Sequence, residues 1–139
     1  MRADKLTTKF QEALSDAQSL ALGADHAYIE PAHLLAAMVQ QEDGTKPLLE
    51  RAGVNTAALL QAANKALGKL PQVSGQDQIS VSRDLAALLQ ATEKEAIKRG
   101  DQFIASELFF LALADAKSDL AQDAKAAGLT RKSLESAIE

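Results

Sequence analysis

The side chains that could do chemistry in this 139-residue sequence are few, and they fall in two places. His26 and His33 stand seven residues apart. On one continuous helix that spacing would turn both imidazoles to one face and offer a metal two nitrogen ligands. His26 falls in a loop, however, and no third ligand such as a further histidine stands near it, so a metal site is not expected. The two read as a loop histidine and a helix-packing histidine. Asp101 and Glu107 flank a short loop and the helix start that follows it. Helix beginnings favour anions, so capping and electrostatic support is the plain reading of both. As a catalytic pair they would need a nucleophile, a base or an oxyanion arrangement, and none can be assembled from this chain.

The other signatures of catalysis are missing from the sequence. There is no G-x-x-x-x-G-K-[ST] to cradle nucleotide phosphates, no G-x-G-x-x-G after a strand, and no G-x-S-x-G nucleophile elbow. Cysteine is absent, which removes disulfides, thiolate catalysis and cysteine-ligated zinc. An enzyme is therefore not expected.

The elements that must position these residues are helices. Apolar side chains at Phe10, Ala13, Leu14, Ala17, Leu20 and Ala21 recur at spacings of three, four and seven, one stripe of a 3.6-residue helix. Thr7 or Thr8 can cap its start, and it should end near Gly23. A second helix opens at Pro31, whose missing N–H has no helical partner there in any case, and runs to about Gln41. A third over residues 47–52 is closed by Gly53, and a fourth over residues 56–69 carries Leu59, Leu60, Ala63, Leu67 and Leu70 on its apolar side. Residues 71–82 lapse into a polar connector without helical period; no partner is visible for a strand around Ile79 and Val81. Glu93, Lys94, Glu95 and Lys98 read as mixed-charge helix surface with i,i+4 support.

After the connector the opening pattern returns. A shift of 75 residues carries Phe10 to Leu85, Leu14 to Leu89, Ala21 to Ala96, Ile29 to Ile104 and Met38 to Leu113. The same shift carries Ala52-Gly53-Val54 to Ala127-Gly128-Leu129. The expected fold is therefore all-α: about eight helices in two tandem four-helix repeats, residues 1–70 and 83–139, joined by the connector at 71–82. Each repeat has one apolar face, so the two should pack about a pseudo-twofold axis and share one core within a single domain spanning residues 1–139.

Apolar residues make up 47% of the chain and aromatics only 4%, so Leu, Ala, Ile and Val must form most of that core. The net charge of −4 argues against nucleic acid, which demands a basic footprint. No apolar run approaches the ~18 residues of a membrane span. With no secretory h-region at the N-terminus either, a cytoplasmic protein is expected, with no membrane partner.

Lys-Phe-Gln-Glu-Ala-Leu at 9–14, Ala-Gln-Ser-Leu-Ala-Leu-Gly at 17–23 and Ile-Glu-Pro-Ala-His-Leu-Leu at 29–35 resemble the N-terminal domain of Clp-family AAA+ chaperones. So does Lys-Arg-Gly-Asp-Gln-Phe-Ile-Ala-Ser-Glu-Leu-Phe at 98–109, and the resemblance covers essentially the whole chain. It implies a monomeric, non-catalytic domain that precedes two ATPase modules in the parent. That domain would engage unfolded or aggregated polypeptide and help deliver it to the hexameric ring; docking of a folded adaptor protein is the alternative. The partners so implied are non-native clients, the AAA+ modules of its own hexamer and, through other parts of the parent, the DnaK chaperone system. No cofactor is implied for the domain itself, ATP and Mg belonging to the parent's ATPase modules.

Carried onto this sequence, the family's substrate-binding surface maps to Thr7, Asp101 and Glu107, beside an apolar groove with Leu89 and Leu108. On its spacing alone Leu89 belongs to the inward stripe with Leu85 and Leu88. Relatives that read phosphorylated arginine use a glutamate at the helix start of both copies. Here Ala32 replaces the first and Glu107 retains the second, which argues against a symmetric two-site reader. Ala105 stands where a capping Ser or Thr is expected, and Ser106 is expected to take over the cap.

Overall fold

The computed structural model describes residues 3–75 and 77–138; Gln76 of the expected connector lies outside them. Thr7 opens α1 (Thr8–Gly23), its hydroxyl accepting the Phe10 N–H at 3.3 Å. The helix buries Phe10, Ala13, Ala17 and Ala21, while Leu14 is half-buried and Leu20 is left largely in solvent. A short strand β1 (Tyr28–Ile29) leads into α2 (Pro31–Gln40), which buries residues 32–39 on every side. Then follow α3 (Lys46–Arg51) and α4 (Thr56–Gly68), the latter capped by the Asn55 side chain on the Ala58 N–H. The second half repeats the series with β2 (Ser80–Val81), α5 (Arg83–Arg99), α6 (Ser106–Asp115), α7 (Asp119–Ala126) and α8 (Arg131–Ile138).

The expected shift of 75 residues brings these elements into register. It carries the first residues of α1, α2 and α4 onto those of α5, α6 and α8, and the caps Thr7 and Asn55 onto Ser82 and Thr130. The helix ends match as well. In α5 the chain turns off through Gly100 at φ 71°, with the Asp101 N–H returning to the Ala96 carbonyl. In α1 the corresponding left-handed residue is Asp25 at φ 58°, and the His26 N–H returns to the Ala21 carbonyl. An aspartate takes this backbone more readily than most residues, because its short side chain can bond locally.

The two halves exchange contacts reciprocally. Leu6 pairs in parallel with Ile104, and Val81 pairs in parallel with Ile29. Under the shift of 75 these two pairings are the same one seen from either half. The Thr7 N–H donates to the Ile104 carbonyl at 3.1 Å and the Ser82 N–H to the Ile29 carbonyl at 2.9 Å. The segment around Val81, for which the sequence offered no partner, is thus a strand after all. Its partner lies in the other half of the chain, where no local pattern points to it. Helices cross over in the same way, α3 packing on α8 and α4 on α7. At the centre α2 and α6 supply the apolar layer, with Phe109 and Phe110 in edge-to-face contact at 5.7 Å. Burying each of the fully enclosed Phe10, Phe109 and Phe110 contributes roughly 1.5–3 kcal/mol. Among the described residues no helix is long and apolar enough to cross a membrane.

Candidate functional site

The Leu6–Ile104 pairing sets Thr7 against the segment that leads from Asp101 to Glu107. Thr7 is half-buried and its hydroxyl caps α1. Asp101 follows the left-handed Gly100, is exposed, and lies 3.8 Å from the Arg99 guanidinium. Glu107 sits in the first turn of α6, half-buried. The cap expected from Ser106 is not made. Ala105 holds the N-cap position, and the Ser106 hydroxyl is buried without a partner among the described atoms, because it stands one residue inside the helix rather than before it.

Neither Leu89 nor Leu108 lines the open cleft between the helices. Leu108, 1% exposed, is a core residue. Leu89 is half-buried and falls on the stripe of α5 that carries the buried Leu85, Thr92 and Ala96, turned inward by one helical step. The open apolar surface belongs to the adjacent stripe of Asp84, Ala87, Leu88 and Ala91. There a cleft of about 690 Å³ opens between α5, the last turn of α4, the first turn of α2, and the α6–α7 corner. Leu70, Leu88 and Leu120 form its apolar lining together with a run of alanines. Glu30, Asp84, Asp115 and Asp119 stand at it as carboxylates, against a single cation among the described residues, Lys117. Alanines make this depression: Ala66, Ala87, Ala91, Ala112 and Ala116 leave space that larger side chains would fill. Sequence reasoning missed it because three quarters of its lining comes from chain segments outside α5.

Asp115 is also held from behind. Its carboxylate accepts from the Arg131 guanidinium at 2.9 Å, and the same guanidinium bonds Glu95 and lies 3.3 Å from Glu135. Glu95 is therefore not part of a local i,i+4 surface pair with its neighbours. It joins α5 to α8 in a half-buried cluster, and these bonds hold Arg131 firmly charged.

The histidines meet. His26 Nδ1 and His33 Nε2 lie 2.8 Å apart, both rings buried, and the Glu30 N–H donates to His33 Nδ1 at 2.8 Å. Burial first, and the neighbouring His26 second, lower the His33 pKa to about 4. Under the shift of 75, His26 and Ala32 occupy the places of Asp101 and Glu107. Two positions that are acidic in one half hold a buried imidazole and a buried alanine in the other. No group of three or more potential metal ligands occurs among the described residues.

The chain matches the Clp repeat N-terminal domain family over residues 5–127. It belongs to the Clp N-terminal domain family. It is 46% identical to the chaperone protein ClpB of Pseudomonas putida over 140 residues, a match covering 99% of this chain and 16% of that protein. A Clp N-domain of this length spans about one sixth of the ClpB relatives it matches. Among solved structures it resembles the Hsp104 N-terminal domain from Candida albicans, with a TM-score of 0.81, 24% identity, and coverage of 97% of this chain and 90% of that one. It also shares its fold with a ClpV N-domain solved in complex with a VipB peptide, with a TM-score of 0.71, 21% identity, and coverage of 94% and 82%.

Proposed function

We propose that this Clp N-domain is the non-catalytic client-binding module of a ClpB-type disaggregase. It engages unfolded or aggregated polypeptide in the cytoplasm and helps pass it to the AAA+ ring. ATP and Mg act in the parent's ATPase modules, and the DnaK system works with other parts of the parent. The observation that carries this reading is the open cleft, which combines an apolar lining with an acidic rim. An unfolded chain offers apolar side chains that a folded one hides, and a shallow apolar receptor with polar groups at its edge fits them. Thr7, Asp101 and Glu107 form a second, polar surface across the pseudo-twofold axis, suited to unpaired backbone groups and cationic side chains of the same client. Each contact is weak, and six domains on one ring supply avidity, a gain of about 10²–10⁴ where the geometry allows simultaneous engagement.

A second reading is docking of a defined adaptor or partner segment. The VipB peptide complex of a ClpV N-domain supports it, since one peptide there meets the same fold. An NMR titration of the labelled chain with a permanently unfolded protein, with a stably folded protein as control, separates the two. The expected result is shifts around Leu88 and Leu120, and around Thr7 and Glu107, with the unfolded chain alone, and loss of the cleft shifts in Leu88→Asp. Absence of shifts at millimolar client overturns direct client binding and leaves the adaptor reading.

A further inference from the structure

We propose that His26 and His33 form an acid-operated latch, which fastens the first turn of α2 and the connector to the end of α1 and lets go when the pair takes up a proton. The hydrogen-bond directions carry this. The Glu30 N–H donates to His33 Nδ1, so that nitrogen bears no hydrogen. The proton of neutral His33 therefore sits on Nε2 and is donated to His26 Nδ1. His26 in turn carries its own proton on Nε2. Both unprotonated nitrogens, His33 Nδ1 and His26 Nδ1, are already facing N–H donors. A further proton on either one sets N–H against N–H at 2.8 Å, and the bond it meets must break.

The surroundings offer the imidazolium little compensation. Residues 31–40 of α2 and residues 70–75 of the connector carry no Asp, Glu, Lys or Arg. The turn between α1 and α2 contributes Asp25, Tyr28 and Glu30; α3 contributes Lys46, Glu50 and Arg51; α4 contributes Lys65, which points away to Asp123, with Lys69 just beyond its end; and the start of α5 contributes Arg83 and Asp84. The α1 charges Lys9, Glu12 and Asp16 lie on its exposed face. Burial disfavours the charge on His33, and His26 disfavours it further.

What the latch holds is equally specific. The His26 backbone closes the end of α1 on the Ala21 carbonyl and bridges Gln72. The Val73 N–H donates to the Asp25 carbonyl at 2.7 Å, and the Gln72 side-chain amide donates to the Ala24 carbonyl at 3.1 Å. On the other side of the pair, the Glu30 N–H is fixed by His33, and Glu30, Pro31 and Ala32 form one lip of the apolar cleft. Protonation thus releases a cleft lip and the connector together. In the second half Asp101 and Leu108 stand at the corresponding positions, so that half has no such device.

The latch does not depend on what the cleft binds, and its test needs no client. Imidazole nitrogen NMR is followed from pH 8 to pH 4 on the intact chain, together with the hydrogen-exchange protection factor of the Val73 amide. The expected result is two rings both protonated at Nε2 at pH 8, with the His33 ring staying neutral below pH 6 and then gaining a proton as the bond between the rings breaks. Val73 protection falls at least tenfold over the same range. His33→Gln keeps both bonds, its amide oxygen accepting from Glu30 and its amide N–H donating to His26, and adding His26→Asn removes every titrating group of the latch. In that double variant, or in His33→Gln alone should the double variant not fold, the acid loss of Val73 protection is reduced at least fivefold. Independent titration of the two rings near pH 6.5 with Val73 protection unchanged overturns the proposal, as does an unaltered loss of protection in the variant.

Discussion

His33 occupies in the first half the place that Leu108 occupies in the second, the third residue of an almost wholly buried helix. A histidine tolerates that environment only as the neutral ring, which sets the sign of its contribution to stability. Its pKa falls from 6.5 in the unfolded chain to about 4 in the fold. Its stabilising contribution is therefore complete above pH 6.5 and drains away as the pH drops towards 4. By linkage, about 2 kcal/mol should be lost between pH 7.5 and pH 5. Urea unfolding at the two pH values should show that loss in the natural sequence and a loss smaller by that amount in His33→Gln. Equal losses would mean that carboxylates, not this pair, govern the acid response. The spacing of the histidines made them visible, but not their meeting. Seven residues suggest a shared helix face only when the helix is continuous, and here a left-handed turn at Asp25 folds His26 back over the start of α2.

At the scale of elements, the eight α-helices among the described residues and their duplication were legible because helix period, caps and glycines act locally and repeat at a fixed offset. What was not legible is how the halves interlock, since two-residue strands and helix crossovers leave no periodic trace. Gly53 and Gly128 illustrate the difference. Each closes a helix at positive φ, 82° and 104°, and from sequence alone the two look equivalent. In the fold a Cβ on Gly53 meets open space, whereas one on Gly128 would stand 2.8 Å from the Gly53 carbonyl oxygen of the other half. Next to that contact the Asn55 N–H donates to the Ala127 carbonyl at 2.8 Å, so neither backbone can move aside freely. Gly53→Ala should cost about 1 kcal/mol, the ordinary penalty of a left-handed alanine. Gly128→Ala should cost about 3 kcal/mol or more, through strain between the halves. Chemical denaturation of both variants decides it, and equal costs would show that the halves are loosely apposed at this point.

At the scale of the whole molecule, the pseudo-twofold arrangement places two unlike surfaces on one small body. One bears the acidic Asp101 and Glu107; the other opens the cleft. The cleft is the part that the sequence hid most completely, since its alanines look like ordinary helix formers and its leucines come from separate segments. Its charge distribution gives a definite expectation. Asp115 is engaged by Arg131, which leaves Glu30, Asp84 and Asp119 around the apolar lining with Lys117 as the one cation among the described residues that line the cleft. An apolar segment flanked by lysines should therefore bind better than the same segment flanked by glutamates. Exposed pairs contribute about 0.2–1 kcal/mol each, so the combined preference should be about tenfold at low ionic strength. Near 1 M salt the screening length shrinks to about 3 Å, and the preference should fall to about twofold while the apolar contribution to binding persists. Fluorescence titration of the two peptides at low and high salt measures this. Asp84→Asn with Asp119→Asn should lower the preference without abolishing binding. Equal affinity of the two peptides at low salt would mean that the rim takes no part. A preference unchanged by salt would place the recognising carboxylates in a buried contact rather than at the open edge of the cleft.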